Sequence, residues 1–270
     1  MRLFLAALLA ATALAGCNQA ETPAAEPQAT YSASAYSAAI NDIARPEADR
    51  AADATRLPGD LLAFAQIDEG DVVGDYIMGG GYVTRLLAMA VGSSGRVYAV
   101  QPDEFIAFRA EYGTEQADAV APYADNDGNP VRVFPLNGSI TAPPFPEPLD
   151  TIITVMNLHD LYLGAMPEGT ADSAIAALYA ALKPGGSLLV VDHRAAPGSG
   201  AGAADTLHRM DEELALAALT AAGFVLEEES ELYARPSDPR TANVFDEAIR
   251  GQTDQFMWRL RKPADVVAGG

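Results

Sequence analysis

Residues 75–102 read DYIMGGGYVTRLLAMAVGSSGRVYAVQP, and their reading decides the fold. The stretch runs from the end of an apolar strand through a glycine turn into a helix and on to a second strand. Gly79, Gly80 and Gly81 let the backbone approach a ligand closely and feed a helix N-terminus, whose free N–H groups favour a carboxylate. A dinucleotide fingerprint needs G-x-G-x-x-G, and the register Ile77-Met78-Gly79-Gly80-Gly81 does not supply it. The alternative use of the same glycines is close packing of the helix on the strand.

Outward from this turn, strand-like apolar runs alternate with helix-length segments. DVVGDY, RVYAV, VRVFPL, LDTIITVM, GSLLVVDH, FVLEEESEL and TDQFMWRLRKP read as strands. GYVTRLLAMAVG, DEFIAFRAEYG, ADSAIAALYAAL and ADTLHRMDEELALAALTAAG read as helices. Such alternation is the pattern of an α/β domain whose largely parallel sheet is covered on both faces. Neither an internal repeat nor a second composition regime interrupts it, so a single doubly wound domain over residues 71–263 is expected, with a tail at 264–270.

The chain of 270 residues is 49% apolar and 20% charged, which suits one large core and appendages. Its formal net charge of -20 repels a phosphate backbone, and no Lys/Arg stripe offsets it, so nucleic acid is excluded as a partner. The N-terminus, MRLFLAALLAATALAGCNQA, has a basic start, an apolar run and small residues at its end, the layout of a secretory signal peptide over residues 1–16. Cys17 is the single cysteine, so no internal disulfide can form. Residues 17–35, rich in Ala, Pro, Ser, Thr and Glu, read as a flexible tether. Residues 36–70 offer short helices broken at Pro46 and Pro58, an N-terminal helical cap. Arg45, Arg50 and Arg56 stand there among carboxylates, either as an ion-pair face or as contacts for an anionic ligand.

Leu14-Ala15-Gly16-Cys17 resembles the lipobox of bacterial lipoproteins. That resemblance implies lipidation of Cys17, cleavage before it, and a membrane anchor on the periplasmic face of a Gram-negative envelope. Asn18 after the cysteine favours the outer membrane. The alternative is a cleaved secretory peptide with an incidental Cys17.

GGGYVTRLLA, GRVYAV, LDTIITVMNLHD, LKPGGSLLVVDHR and AAGFVLEEES, in this order, resemble the class I S-adenosylmethionine-dependent methyltransferases. Together with NLHDLY, DHRAAPGSG, TLHRMD and IRGQTDQF they are similar to a group of exported predicted methyltransferases. The resemblance implies a Rossmann-like fold, a mostly parallel seven-stranded sheet whose last strand runs antiparallel between strands 5 and 6. It implies S-adenosylmethionine as cofactor and a small-molecule acceptor. On the cofactor side it assigns Asp75, near the ammonium group, Gly79, Gly80 and Gly81, Gln101 at the end of strand 2, and Asn137 after strand 3. Two positions depart from the family. Ile77 stands where the motif has its first glycine, which implies a locally different turn. Gln101 stands where Asp or Glu accepts from both ribose hydroxyls, and an amide offers one acceptor oxygen and no charge; Asp103 or Glu104 could substitute.

All three histidines, His159, His193 and His208, fall at or beyond the carboxyl ends of strands 4 and 5, where open α/β sheets bind ligands. Asn157, His159 and Asp160 are the candidate catalytic residues, with His159 a general base whose reference pKa lies near working pH. The alternative is a histidine bonded to loop backbone or to Asp160. Asp192-His193 and His208 with Asp211 raise a metal possibility, but no H-E-x-x-H or similarly tight spacing is present and no metal ligand is assigned. The long connection YARPSDPRTANVFDEAIRGQ is expected on the acceptor side, with Arg235, Asp238 and Arg240 either contacting the acceptor or pairing at the surface. The function expected is methyl transfer to a small acceptor; the alternative is a non-enzymatic small-metabolite-binding lipoprotein that keeps the fold.

Overall fold

The computed structural model describes residues 31–124 and 132–264. The expected signal peptide, Cys17, the tether through Thr30 and the tail beyond Ala264 lie outside the described residues. Seven strands form one sheet: β1 Val72–Tyr76, β2 Arg96–Pro102, β3 Val133–Gly138, β4 Leu149–Val155, β5 Leu182–His193, β6 Val225–Ser230 and β7 Gln255–Arg261. Their order is β3-β2-β1-β4-β5-β7-β6. The first five pair in parallel, and β7 runs antiparallel to both β5 and β6. This is the topology the resemblance implied.

Side chains alternate along the strands and so divide between two cores. Val73, Val97, Ala99, Ile153, Leu189 and Val191 pack beneath α3 (Pro58–Ala65), α4 (Tyr82–Ala90) and α6 (Glu111–Ala124). Val72, Tyr98, Val100, Ile152, Leu188, Val190 and Trp258 pack beneath α7 (Thr170–Ala181) and α9 (Glu212–Ala221). Burial on both faces is why β1 and β4 read as continuous apolar runs rather than alternating ones. Strand order reverses between β1 and β4, which opens a crevice at their carboxyl ends.

The N-terminal helices α1 (Ser37–Ile40), α2 (Glu47–Arg56) and α3 share the first core, with Leu61, Leu62 and Ala65 enclosed. The described end of the expected tether makes contacts with the domain: the Tyr31 hydroxyl donates to Asp68 at 2.6 Å, and Ala33–Tyr36 form a 3-10 turn. Among the described residues no helix is long and apolar enough to cross a membrane.

Two expected helices are broken. The one expected from Asp103 to Gly113 becomes α5 (Asp103–Phe108) and α6, because Arg109 turns extended between them. The long helix expected over 204–223 becomes α8 (Gly202–Leu207) and α9, interrupted where His208 adopts φ 53°. There the chain leaves helix to pair with the end of β5: Met210 N–H donates to the His193 carbonyl at 2.7 Å, and Ala195 N–H to the Met210 carbonyl at 2.9 Å. Asp211 then caps α9, its carboxylate accepting from Glu213 N–H at 3.0 Å.

Candidate active site

The turn from β1 into α4 forms the first wall. Ile77, which stands where the resemblance puts a first glycine, adopts φ 60°, a left-handed conformation that a β-branched residue rarely takes. The surroundings hold the conformation: Asn157 donates one amide hydrogen to the Ile77 carbonyl and the other to Val155, each at 2.8 Å. Asn157, expected among the catalytic residues, thus ties the ends of β1 and β4 together beside the cleft.

The three glycines differ in role. A Cβ placed on Gly79 or Gly80 meets nothing within 4 Å, and both face the cleft. A Cβ on Gly81 would lie 2.4 Å from Ala119 Cβ, so this glycine, with φ 78°, serves helix packing. Arg85 fastens the turn to the cap: it donates to both Asp49 oxygens at 2.6 and 2.9 Å and to the Gly80 carbonyl at 2.9 Å. Asp75 lines the cleft and is almost wholly buried, accepting from the Thr84 hydroxyl at 2.5 Å. Burial pushes its carboxyl up to about 6, against the Thr84 bonds and the Arg85 charge.

The ends of β2 and β3 are arranged otherwise than expected. Gln101 is fully enclosed, is not on the cleft wall, and both its amide atoms lack a partner. Asn137 also stands away from the cleft, donating to the Gln101 carbonyl at 3.0 Å and to Gln116 Oε1 at 2.9 Å. Asn137 is thereby drawn to α6, whose Gln116 also bonds the Ala99 and Leu136 carbonyls. Glu104 does reach the cleft, but its carboxylate accepts from Ser139 Oγ and Ile140 N–H at 2.9 Å each.

Beyond β4 and β5 the histidines converge. His159 Nδ1 lies 2.8 Å from Asp192 Oδ1, and the His159 main-chain N–H donates to Asp192 Oδ2, also at 2.8 Å. One buried carboxylate therefore fixes ring and backbone together, leaving Nε2 toward the cleft, 3.4 Å from Asp160 Oδ1. Burial opposes charge on His159, but Asp192 and Asp160 outweigh it and lift its pKa above the ordinary value. Asp192, which burial alone would raise, is held low by His159. Asp160 is pushed up to about 6 by burial. His193 donates to or accepts from Thr253 Oγ1 at 2.8 Å, and burial pushes it down to about 4. His208 stands edge-on to His159, ring centroids 5.4 Å apart, and is lowered by burial and the neighbouring His159 charge. The orienting role of Asp192 was not anticipated; its sequence signal was an acid at the carboxyl end of a central strand.

The three histidines and Asp160 line one cleft of about 1030 Å³ together with Asp75, Gly79 and Gly80, with Asp192 buried behind them. Phe105, Phe108, Tyr112, Met166 and Phe245 make much of its wall apolar, and Phe108 and Phe245 are 87% and 58% exposed. The cap contributes Arg56, its guanidinium 4.4 Å over the Tyr82 ring and without an ion pair among the described residues. Arg45 instead pairs with Asp53, and Arg50 bonds the Arg45 carbonyl. The connection between β6 and β7 does border the cleft, through Val244, Phe245, Arg250 and Thr253. Arg235, Asp238 and Arg240, read either as acceptor contacts or as paired groups, are paired: Asp238 with the fully buried Arg209 at 2.8 Å, Arg240 with Asp254 at 2.6 Å, and Arg235 through its N–H to Asp254.

No family model matches the sequence, and no curated protein matches it. Solved structures do resemble the fold. A SAM-dependent methyltransferase from Aquifex aeolicus superposes with TM-score 0.53 at 19% identity, over 83% of this chain and 96% of its own. The cyclase SpnF gives 0.54 at 19%, over 78% and 81%. The pyocyanin biosynthetic protein PhzM gives 0.50 at 16%, over 84% and 61%. What these likenesses establish is architecture: the chain has the Rossmann-like fold of the class I S-adenosylmethionine-dependent methyltransferases.

Proposed function

We propose that the chain is an S-adenosylmethionine-dependent methyltransferase acting on a small acceptor, exported and anchored by lipid at Cys17 on the periplasmic side, at the outer membrane. The observation that carries the catalytic reading is the pairing, on one cleft, of an open glycine turn beside buried Asp75 with a histidine oriented by a buried carboxylate. Gly79 and Gly80 leave room for a ligand that a side chain would fill, and Asp75 suits an ammonium group, so the methionyl end of the cofactor fits. At the ribose end the chain offers Glu104, already engaged by Ser139 and Ile140, while Gln101 and Asn137 are turned away.

When bound, S-adenosylmethionine supplies an electrophilic methyl group on a sulfonium. The chain supplies position and a base. Main-chain N–H groups at the α4 terminus favour the carboxylate. The apolar walls hold the acceptor and exclude water, and most of the acceleration comes from orientation. His159 Nε2 takes the acceptor's proton. Asp192 keeps Nδ1 protonated and steadies the imidazolium that forms, and a base of raised pKa holds the proton more firmly.

Calorimetry of the purified protein with S-adenosylmethionine and its demethylated product tests the cofactor. One-to-one binding is expected, and His159→Gln should leave it intact while lowering turnover about 10²-fold or more. No heat with either compound at millimolar concentration would overturn the reading and leave the cleft to another small metabolite. The enclosed, unpartnered Gln101 is the observation that favours that second reading.

A further inference from the structure

We propose that His159, Asp160 and His208 form a binding site for one divalent first-row transition ion, with zinc the best match to the donors. One ligand atom from each residue lies within 4.8 Å of the other two. Two imidazole nitrogens and a carboxylate oxygen suit zinc, iron or manganese, and zinc takes three such protein ligands with an open position for water or substrate. Tetrahedral zinc requires donors about 3.4 Å apart. His159 Nε2 and Asp160 Oδ1 already stand at 3.4 Å. The remaining adjustment falls to the half-buried His208 ring, which turns on its own side-chain bonds.

Three further features point the same way. Asp192 accepts at His159 Nδ1, the arrangement that fixes the tautomer of a metal-binding histidine and directs Nε2 outward. His208 sits at φ 53°, a backbone conformation costly for a residue with a side chain, held there by the Met210 and Ala195 bonds to the end of β5. That break in the helix is what brings the ring edge-on to His159. The cluster also lines the cleft, so an ion has an entry path and room for further ligands. His193 stands nearby, its ring centroid 6.2 Å from that of His159 and its Nδ1 turned to Thr253.

The ion uses the Nε2 lone pair that the methyl-transfer reading assigns to proton removal. In that reading, on which this consequence alone rests, ion and acceptor proton are alternatives at one atom, and a filled site has no free base. Zinc would then inhibit turnover and a chelator would restore it.

The test is equilibrium dialysis of the tag-free full chain, stripped with chelator, against Zn²⁺, with Co²⁺ absorption reporting coordination. One equivalent of Zn²⁺ is expected, with visible Co²⁺ bands of a site having fewer than six ligands. His208→Ala and, independently, Asp160→Asn should each weaken binding tenfold or more, and Asp192→Asn by about 10- to 100-fold. Failure of the parent to retain zinc, or unchanged affinity in folded His208→Ala or Asp160→Asn, would overturn the site. Calorimetry with S-adenosylmethionine on the zinc-free protein reads the other proposal separately. Zinc uptake without cofactor binding sustains the ion site and sinks methyl transfer, and cofactor binding without zinc uptake does the reverse.

Discussion

Asp75 carries opposed demands. Its carboxyl is raised from 3.8 to about 6 by burial, so between those values the folded chain binds a proton more readily than the unfolded one. The associated stability is fully present below the ordinary value and is lost as pH rises through about 6. The shift corresponds to about 3 kcal/mol. Asp75→Asn should therefore raise the melting temperature of the ligand-free protein at pH 8, with the gain shrinking toward pH 5, and should weaken S-adenosylmethionine binding tenfold or more. Melts at the two pH values check this, and a variant less stable at pH 8 would show that the charged form is structurally required. At this scale the sequence was informative where position alone decides: Asp75 near the end of β1, Gly79 and Gly80 just beyond it, and His159 beyond β4 all reach the cleft. It misled where alternation decides. Asp192 and His193 read as a pair, yet neighbouring strand residues face opposite sides, so Asp192 orients His159 while His193 meets Thr253. Gln101 has its expected place at the end of β2, but its side chain is wholly buried and off the cleft wall, a matter of packing that no spacing reveals.

Among the elements, α2 is held to the glycine turn and the start of α4 by the buried Arg85–Asp49 pair and by Tyr82, whose hydroxyl donates to Asp53 at 2.7 Å. Removing one partner of such a pair strands the other, at a cost of about 3–5 kcal/mol. Asp49→Ala should thus lower stability by that order, increase proteolysis of residues 31–66, and loosen cofactor binding, because Arg85 also bonds the Gly80 carbonyl. Unchanged melting and protease resistance would show that the cap is held by its other contacts, the Tyr82–Asp53 bond and the apolar core among them. The strands and most helices were legible because their apolar periods are long and uninterrupted. The breaks at Arg109 and His208 were not, since residues on both sides keep helical spacing. What stops the helix at His208 is a bridge to β5, residues distant in sequence.

For the whole molecule, the alternation of strands and helices was readable in the sequence and the antiparallel last strand came through the resemblance, whereas the proposed location rests on residues 1–18. Cys17→Ser should abolish lipid labelling and leave the precursor uncleaved or the protein unanchored, as fractionation and mass measurement will show. A variant processed and membrane-bound like the parent would overturn the lipid anchor. The sheet order has a consequence in time. β6 pairs only with β7, and β7 sits between β6 and β5. During synthesis, β5 keeps an open edge and β6 has no place in the sheet until residue 261 has emerged. The chain therefore cannot close early. A product stopped before Gln255 would present that unpaired edge to other copies, and the route from it leads toward aggregation rather than to a smaller folded domain.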